Sequence, residues 1–203
     1  MGLFRDLLRD DPTMLYFESI PLQWLTRHSD EQVVGAARGL LSDTSPAMVL
    51  LGASYLLTSQ QDRATAVATL KNLTSNPDPR IAALARAQLW RGSVMTVNAE
   101  TIKKWEKATE SMPVGLAAGP YYVIGQAWRQ AKDPQRAAVA FMRAATFGRD
   151  QRPLAAQALV EAGRMLEAAD ARKQALPLYN EVRRDYPEQR RAVAEAESRL
   201  MME

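Results

Sequence analysis

Between Tyr121 and Pro187 one pattern of residues occurs twice at an offset of thirty-eight. The first copy reads Tyr121, Ile124, Gly125, Trp128, Ala137, Phe141, Ala144. The second reads Leu159, Ala162, Gly163, Leu166, Ala175, Tyr179, Val182. Glycine falls on glycine, alanine on alanine and aromatic on aromatic. Tyr121, Ile124, Gly125 and Trp128 are spaced to share one face of a helix, and Ala137, Phe141 and Ala144 to share one face of the next. Gly125 and Ala137 let two such helices approach closely, while Trp128 and Phe141 fill the space beside them. Ala131-Lys132-Asp133-Pro134 supplies the turn, with Asp133 as N-cap and Pro134 as the first helical residue. A repeat of this length marks a chain whose units hide their apolar faces against one another.

The same frame can be followed upstream. Ser45-Pro46 is a helix start, followed by Met48, Leu51, Gly52 and Tyr55. Ala64 and Ala68 then fall on the key positions of the partner helix, and Asn76-Pro77 closes the unit. Asp78-Pro79 opens a third, degenerate unit carrying Ile81, Leu84, Ala85, Gln88 and Leu89. Its partner is the segment Asn98 to Glu110, with Ile102, Trp105 and Ala108 facing inward. Gly52, Leu89, Gly125 and Gly163, one per frame, are separated by 37, 36 and 38 residues. The expected organisation is therefore one continuous array. Residues 1–44 form an atypical helical cap, 45–187 about four helix pairs, and 188–203 a closing helix with Ala192, Ala196 and Leu200 on one side. Within the cap, Thr13 to His28 is apolar and broken by Pro21, and Ser29-Asp30-Glu31-Gln32 reads as a capping box. Met112 to Pro120, with two glycines and two prolines, reads as the most loop-like stretch in the middle of the chain. Pro177 predicts a kink, or a helix that begins later than the frame suggests.

These residues resemble the tetratricopeptide repeat (TPR) family, whose units carry large, Leu, Gly, Tyr-like, Ala, Phe-like, Ala and Pro positions. The Tyr121–Ala144 copy lacks only the closing proline. The later copy has Pro187, but Ala162, Leu166 and Val182 depart from the usual types. The ending, from Ala158-Leu159-Val160-Glu161-Ala162-Gly163 to Ala196-Glu197-Ser198-Arg199-Leu200, is similar to bacterial cell-envelope TPR proteins of the Tol–Pal coordinator and outer-membrane assembly lipoprotein type. The resemblance implies an all-α superhelical solenoid of antiparallel helix pairs and a non-catalytic scaffold or adaptor that binds a protein or peptide segment, in a bacterial envelope complex.

In that family the first helix of each unit lines a concave groove. Carried onto this chain, the groove positions are Arg86, Trp90, Tyr122, Gln126, Arg129, Val160, Arg164 and Glu167. Three arginines with Trp90 and Tyr122 suit an extended peptide bearing acidic groups, since arginine binds carboxylates bidentately and aromatic rings supply apolar contact. The lysine and asparagine clamp of repeat proteins that hold chaperone C-termini is not reproduced at these positions.

Composition bounds the alternatives. At 203 residues, 47% hydrophobic and 24% charged, the chain is long enough for a sizeable core. Its many alanines and the absence of period-two alternation argue all-α. A net charge of +3 is too small and too dispersed for a typical phosphate-binding surface. With no cysteine and one histidine, His28, thiolate chemistry and His-based metal pairs are excluded. No nucleophile elbow or glycine-rich phosphate loop is present, so neither an enzyme nor a cofactor is expected. Leu3, Phe4, Leu7 and Leu8 form a narrow amphipathic stripe interrupted by charge, which reads as a packed or partner-bound turn, and no transmembrane segment is expected. The chain as it stands would be cytoplasmic; one that had lost a leader or anchor would belong to the periplasm or envelope. Two other readings remain. One is self-association into a homo-oligomer through a terminal repeat or the Met14–Leu25 segment. The other is nucleic-acid binding through Arg183, Arg184, Arg190 and Arg191, against which the interspersed acids weigh.

Overall fold

The computed structural model describes residues 22–25 and 31–202. The amphipathic stripe Leu3–Leu8, most of the apolar segment with Pro21, His28 and the start of the Ser29 capping box lie outside these residues. Among the described residues there are ten α-helices and no strand. They are α1 (Glu31–Leu40), α2 (Pro46–Leu56), α3 (Arg63–Leu73), α4 (Pro79–Trp90), α5 (Ala99–Glu110), α6 (Val114–Gln130), α7 (Pro134–Phe147), α8 (Arg152–Ala168), α9 (Arg172–Asp185) and α10 (Arg190–Met201). The chain divides into two compact units between Trp90 and Arg91. The division falls between α4 and α5, the two helices that the repeat frame pairs as its third unit. Within each unit helices adjacent in sequence pack as neighbours, the arrangement of an α-helical solenoid in general terms.

The second unit follows the repeat closely. Tyr121, Ile124, Trp128, Ala137, Phe141 and Ala144 are all buried, as are Leu159, Ala162, Leu166, Ala175, Tyr179 and Val182. A Cβ on Gly125 would lie 2.7–2.9 Å from the Phe141 ring, and one on Gly163 would lie 2.5–2.9 Å from the Tyr179 ring and hydroxyl. Each glycine is thus the hole into which the aromatic of the following helix fits. The turns match too. Asp133 accepts from the Arg136 amide, with Pro134 next. Lys132 and Asp170, thirty-eight residues apart, both adopt left-handed backbone, with φ of 59° and 57°. In each turn the next amide reaches back to close the preceding helix, Asp133 to the Trp128 carbonyl and Ala171 to the Leu166 carbonyl. First helices of successive hairpins, α6 with α8 and α8 with α10, also touch.

Several expectations are revised. Val114 to Pro120, read as loop, is the first part of α6 and contains Pro120 inside the helix. The buried stripe Leu116, Ala117, Tyr121, Ile124 and Trp128 carries the helix through its own glycines and proline. α9 starts at Arg172, where the frame places it and not later, with Pro177 inside the helix. Pro177, which leaves the Lys173 carbonyl without a helical donor, is exposed, as is Lys173. On α5 the inward residues are Ile102, Trp105 and Thr109, whereas Ala108 is exposed. At 100° per residue Thr109 falls between the other two and Ala108 well to one side.

The first unit departs from the frame in its second helix. Ala64 and Ala68 are exposed, and Ala66, Leu70 and Leu73 face inward. The cause is the turn: residues 57–62 join α2 to α3, against 131–133 and 169–171 in the later hairpins. That longer turn is pinned by Arg38 of α1, whose guanidinium donates to both Asp62 carboxylate oxygens at 2.9 and 2.8 Å, and by the Ser59 hydroxyl at 2.6 Å. Gly52 also has a different role from Gly125 and Gly163. A Cβ there would meet the Ala37 carbonyl at 2.6 Å and Leu40 at 2.9 Å, so it opens space for the preceding helix. Ser45 occupies the N-cap position of α2 with Pro46 after it, but its side chain makes no capping bond; its amide donates to Asp43 instead.

Candidate functional site

The groove positions fall into both units. Arg86 and Trp90 belong to α4 of the first. Arg86 donates to the Thr74 carbonyl at 3.1 Å, which caps α3, and Trp90 is half-buried at the end of its helix. The other six lie on α6 and α8 of the second unit. Tyr122 is buried edge-on against Phe141, their centroids 5.4 Å apart, and Val160 is fully buried. Neither presents its side chain to a passing ligand: Tyr122 is drawn into the contact with α7, and Val160 is enclosed in the core. Gln126 is half-buried.

The remaining three, Arg129, Arg164 and Glu167, lie in a row of ion pairs that crosses the first helices of consecutive hairpins. Arg129 on α6 donates to Glu161 on α8 at 2.8 Å. Glu161, only 6% exposed, also accepts from Gln157 at 3.4 Å and lies 3.5 Å from Arg164. Arg164 reaches on to Glu195 of α10, again at 3.5 Å. One helical turn away, Glu167 joins Arg172 of α9 at 2.6 Å and Arg199 of α10 at 3.1 Å, and Arg172 also donates to the Arg199 carbonyl at 3.0 Å. A buried carboxylate costs several kcal/mol in desolvation unless it is paired and hydrogen-bonded, by order of magnitude. The three partners of Glu161 meet that need.

Beneath this row lies the Tyr179 hydroxyl. It is buried and, among the described residues, has no partner of hydrogen-bonding geometry. Burial, and then the nearby Glu167 carboxylate, push the phenol well above its ordinary range, so it stays protonated. The sequence singles out neither Glu161 nor Arg172 as a site residue; Glu195 and Arg199 are spaced as a pair on a solvated helix face, but pair instead with Arg164 and Glu167 of α8. One local signal did exist, the spacing of three between Glu161 and Arg164 on a helix; the other pairings join residues on different helices.

The other basic cluster is differently placed. Arg183 and Arg184 end α9, Arg190 and Arg191 open α10, and all four are exposed. Arg183 donates to Asn180 at 3.1 Å and Arg184 chelates Asp185 at 2.7 and 2.8 Å, lowering the Asp185 carboxyl.

Among the described residues no three acidic or histidine side chains gather as a metal-binding group, and no helix is long and apolar enough to cross a membrane. Comparison with family models, with curated proteins and with solved structures returned no match.

Proposed function

We propose that the protein is a non-catalytic, TPR-like interaction scaffold that binds a partner protein segment along the first helices of its hairpins in the second unit. The observation that carries this reading is the row from Arg129 through Glu161 and Arg164 to Glu195. It runs across α6, α8 and α10, which are the helices that would line the groove of a tetratricopeptide superhelix. The aromatic residues Trp128, Phe141 and Tyr179 are consumed in packing, which leaves polar recognition to this face. Arginines already held by neighbouring carboxylates are pre-oriented, and a partner's acidic group can exchange with Glu195 at Arg164 with little loss of side-chain freedom. A bacterial envelope complex is the setting suggested by the likeness of the C-terminal residues to envelope repeat proteins.

The test is selection from a displayed peptide library, comparing the parent chain with Arg164→Gln and with the exposed control Arg183→Gln. Circular dichroism checks that all three fold. Peptides bearing acidic residues should be enriched by the parent and the control and lost with Arg164→Gln. Equal enrichment by all three would move binding away from this face.

A further inference from the structure

In the first unit a short non-helical stretch, Leu22 to Leu25, is held by the helices rather than being one of them. The Gln23 amide donates to the Ser54 hydroxyl of α2 at 3.1 Å, and the Gln23 carbonyl accepts from the Gln88 amide of α4 at 3.3 Å. Ser54 in turn donates to the Leu51 carbonyl at 2.8 Å. Leu22, Trp24 and Leu25 are buried, as are Ser54 and Gln88. α2 and α4 also touch each other, so the floor under the stretch is built from helix–helix packing.

We propose that this face of α2 and α4 is a binding groove for a non-helical, mainly apolar peptide, and that residues 22–25 occupy it as a ligand in cis. A hydroxyl and an amide at two fully buried helix positions are costly unless bonded. Here one backbone residue bonds to both, through its N–H to the Ser54 hydroxyl and through its C=O to the Gln88 amide. That grip reads backbone groups and not a side chain, as in recognition of an added strand, while the flanking leucines and tryptophan supply apolar contact. The ligand class follows: a segment with an unencumbered N–H and C=O at one residue and large apolar side chains on either side. Proline at the gripped position is excluded, because it lacks the N–H. The groove is distinct from the charged row of the second unit and rests on none of its residues.

The test uses the full chain with Leu22→Ser and Trp24→Ser together, which releases the cis ligand, and a labelled peptide of the sequence Ile-Pro-Leu-Gln-Trp-Leu-Thr-Arg, residues 20–27. Fluorescence anisotropy should show saturable binding to the double variant. Binding to the parent should be at least about tenfold weaker, because a segment tethered by a short linker competes at an effective concentration on the order of millimolar. Adding Gln88→Ala to the double variant should weaken binding about five- to tenfold, the equivalent of one buried hydrogen bond. Failure of the peptide to bind a double variant of normal helicity, or indifference to Gln88→Ala, would overturn the proposal. If the double variant loses its helicity, hydrogen exchange on the parent decides. A Gln23 amide that exchanges ahead of the α2 amides marks a docked segment, and one that exchanges only together with them marks ordinary core. Arg164→Gln should leave peptide binding unchanged, which separates this groove from the site of the proposed function.

Discussion

Gly163 and Gly35 are both helical glycines with opposite environments. A methyl group on Gly163 would enter the Tyr179 ring, whereas one on Gly35 meets nothing of the described residues within 4 Å. Gly163→Ala should therefore destabilise by about 1–3 kcal/mol through overpacking, and Gly35→Ala should stabilise by about 0.5–1 kcal/mol through backbone entropy and helix propensity. Urea denaturation of the two variants should shift the midpoint in opposite directions. At the surface, Arg152 grips Glu188 with two hydrogen bonds of 2.5 and 2.8 Å and holds its carboxyl down at about 2, from an ordinary value of 4.5. A carboxyl depressed in the folded state stabilises fully above its unfolded pKa and loses that contribution as pH falls toward the folded one. The stability difference between parent and Glu188→Gln should therefore be constant above about pH 5 and shrink steadily from pH 4.5 to 2, as a denaturation series would record. The pair is exposed, so the difference is modest at any pH.

At the scale of helices, Pro177 is the clearest local flaw. It lies inside α9 and removes the amide that would bond to Lys173. Because the site is exposed, Pro177→Ala can restore that bond without repacking. It should stabilise by about 1–3 kcal/mol, measurable as a rise in thermal midpoint. The helices were legible from the sequence where an apolar stripe coincided with a capped turn. Tyr121 to Trp128, Asp133-Pro134 and Ala137 to Ala144 are the best case, because packing and local turn chemistry agree there. Reading failed where one signal was taken alone. Glycines and prolines hid the start of α6, since breaker residues count for little beside a long buried stripe. The alanine pattern misplaced α3 by two residues, because a turn held by Asp62, Ser59 and the distant Arg38 carries no periodic mark. In the candidate site, the repeat frame reached Arg129, Arg164 and Glu167, whose positions are periodic. It missed Glu161, buried within an otherwise apolar run, and the partners contributed by α9 and α10. Gln88 was read as one of the inward face, but its hold on Gln23 spans sixty-five residues and could not be inferred from spacing.

For the whole chain, the division at Trp90 and Arg91 makes a direct prediction. The connection to α5 contains Met95, 74% exposed, in a run of turns bounded by Asn98, which caps α5 by accepting from the Thr101 amide. Brief tryptic digestion should cut first near Arg91 and leave two helical fragments, resolved by mass spectrometry and circular dichroism. Earlier cutting inside α8 or α3, at Arg164 or Lys71, would contradict the assignment of each to a compact unit.

The charged row of the second unit also bears on the speed of an encounter. Arg129, Arg164, Arg172 and Arg199 stand against Glu161, Glu167 and Glu195, four positive charges to three negative. Fields from such a nearly balanced set cancel within a few ångströms of the surface, so little is left to draw a partner in from solution. Association on this face would then proceed at the unsteered rate of about 10⁵–10⁷ per molar per second and change little with salt. Differences between competing partners would lie in how long each stays bound, and so in how readily Arg164 and its neighbours return to their own carboxylates.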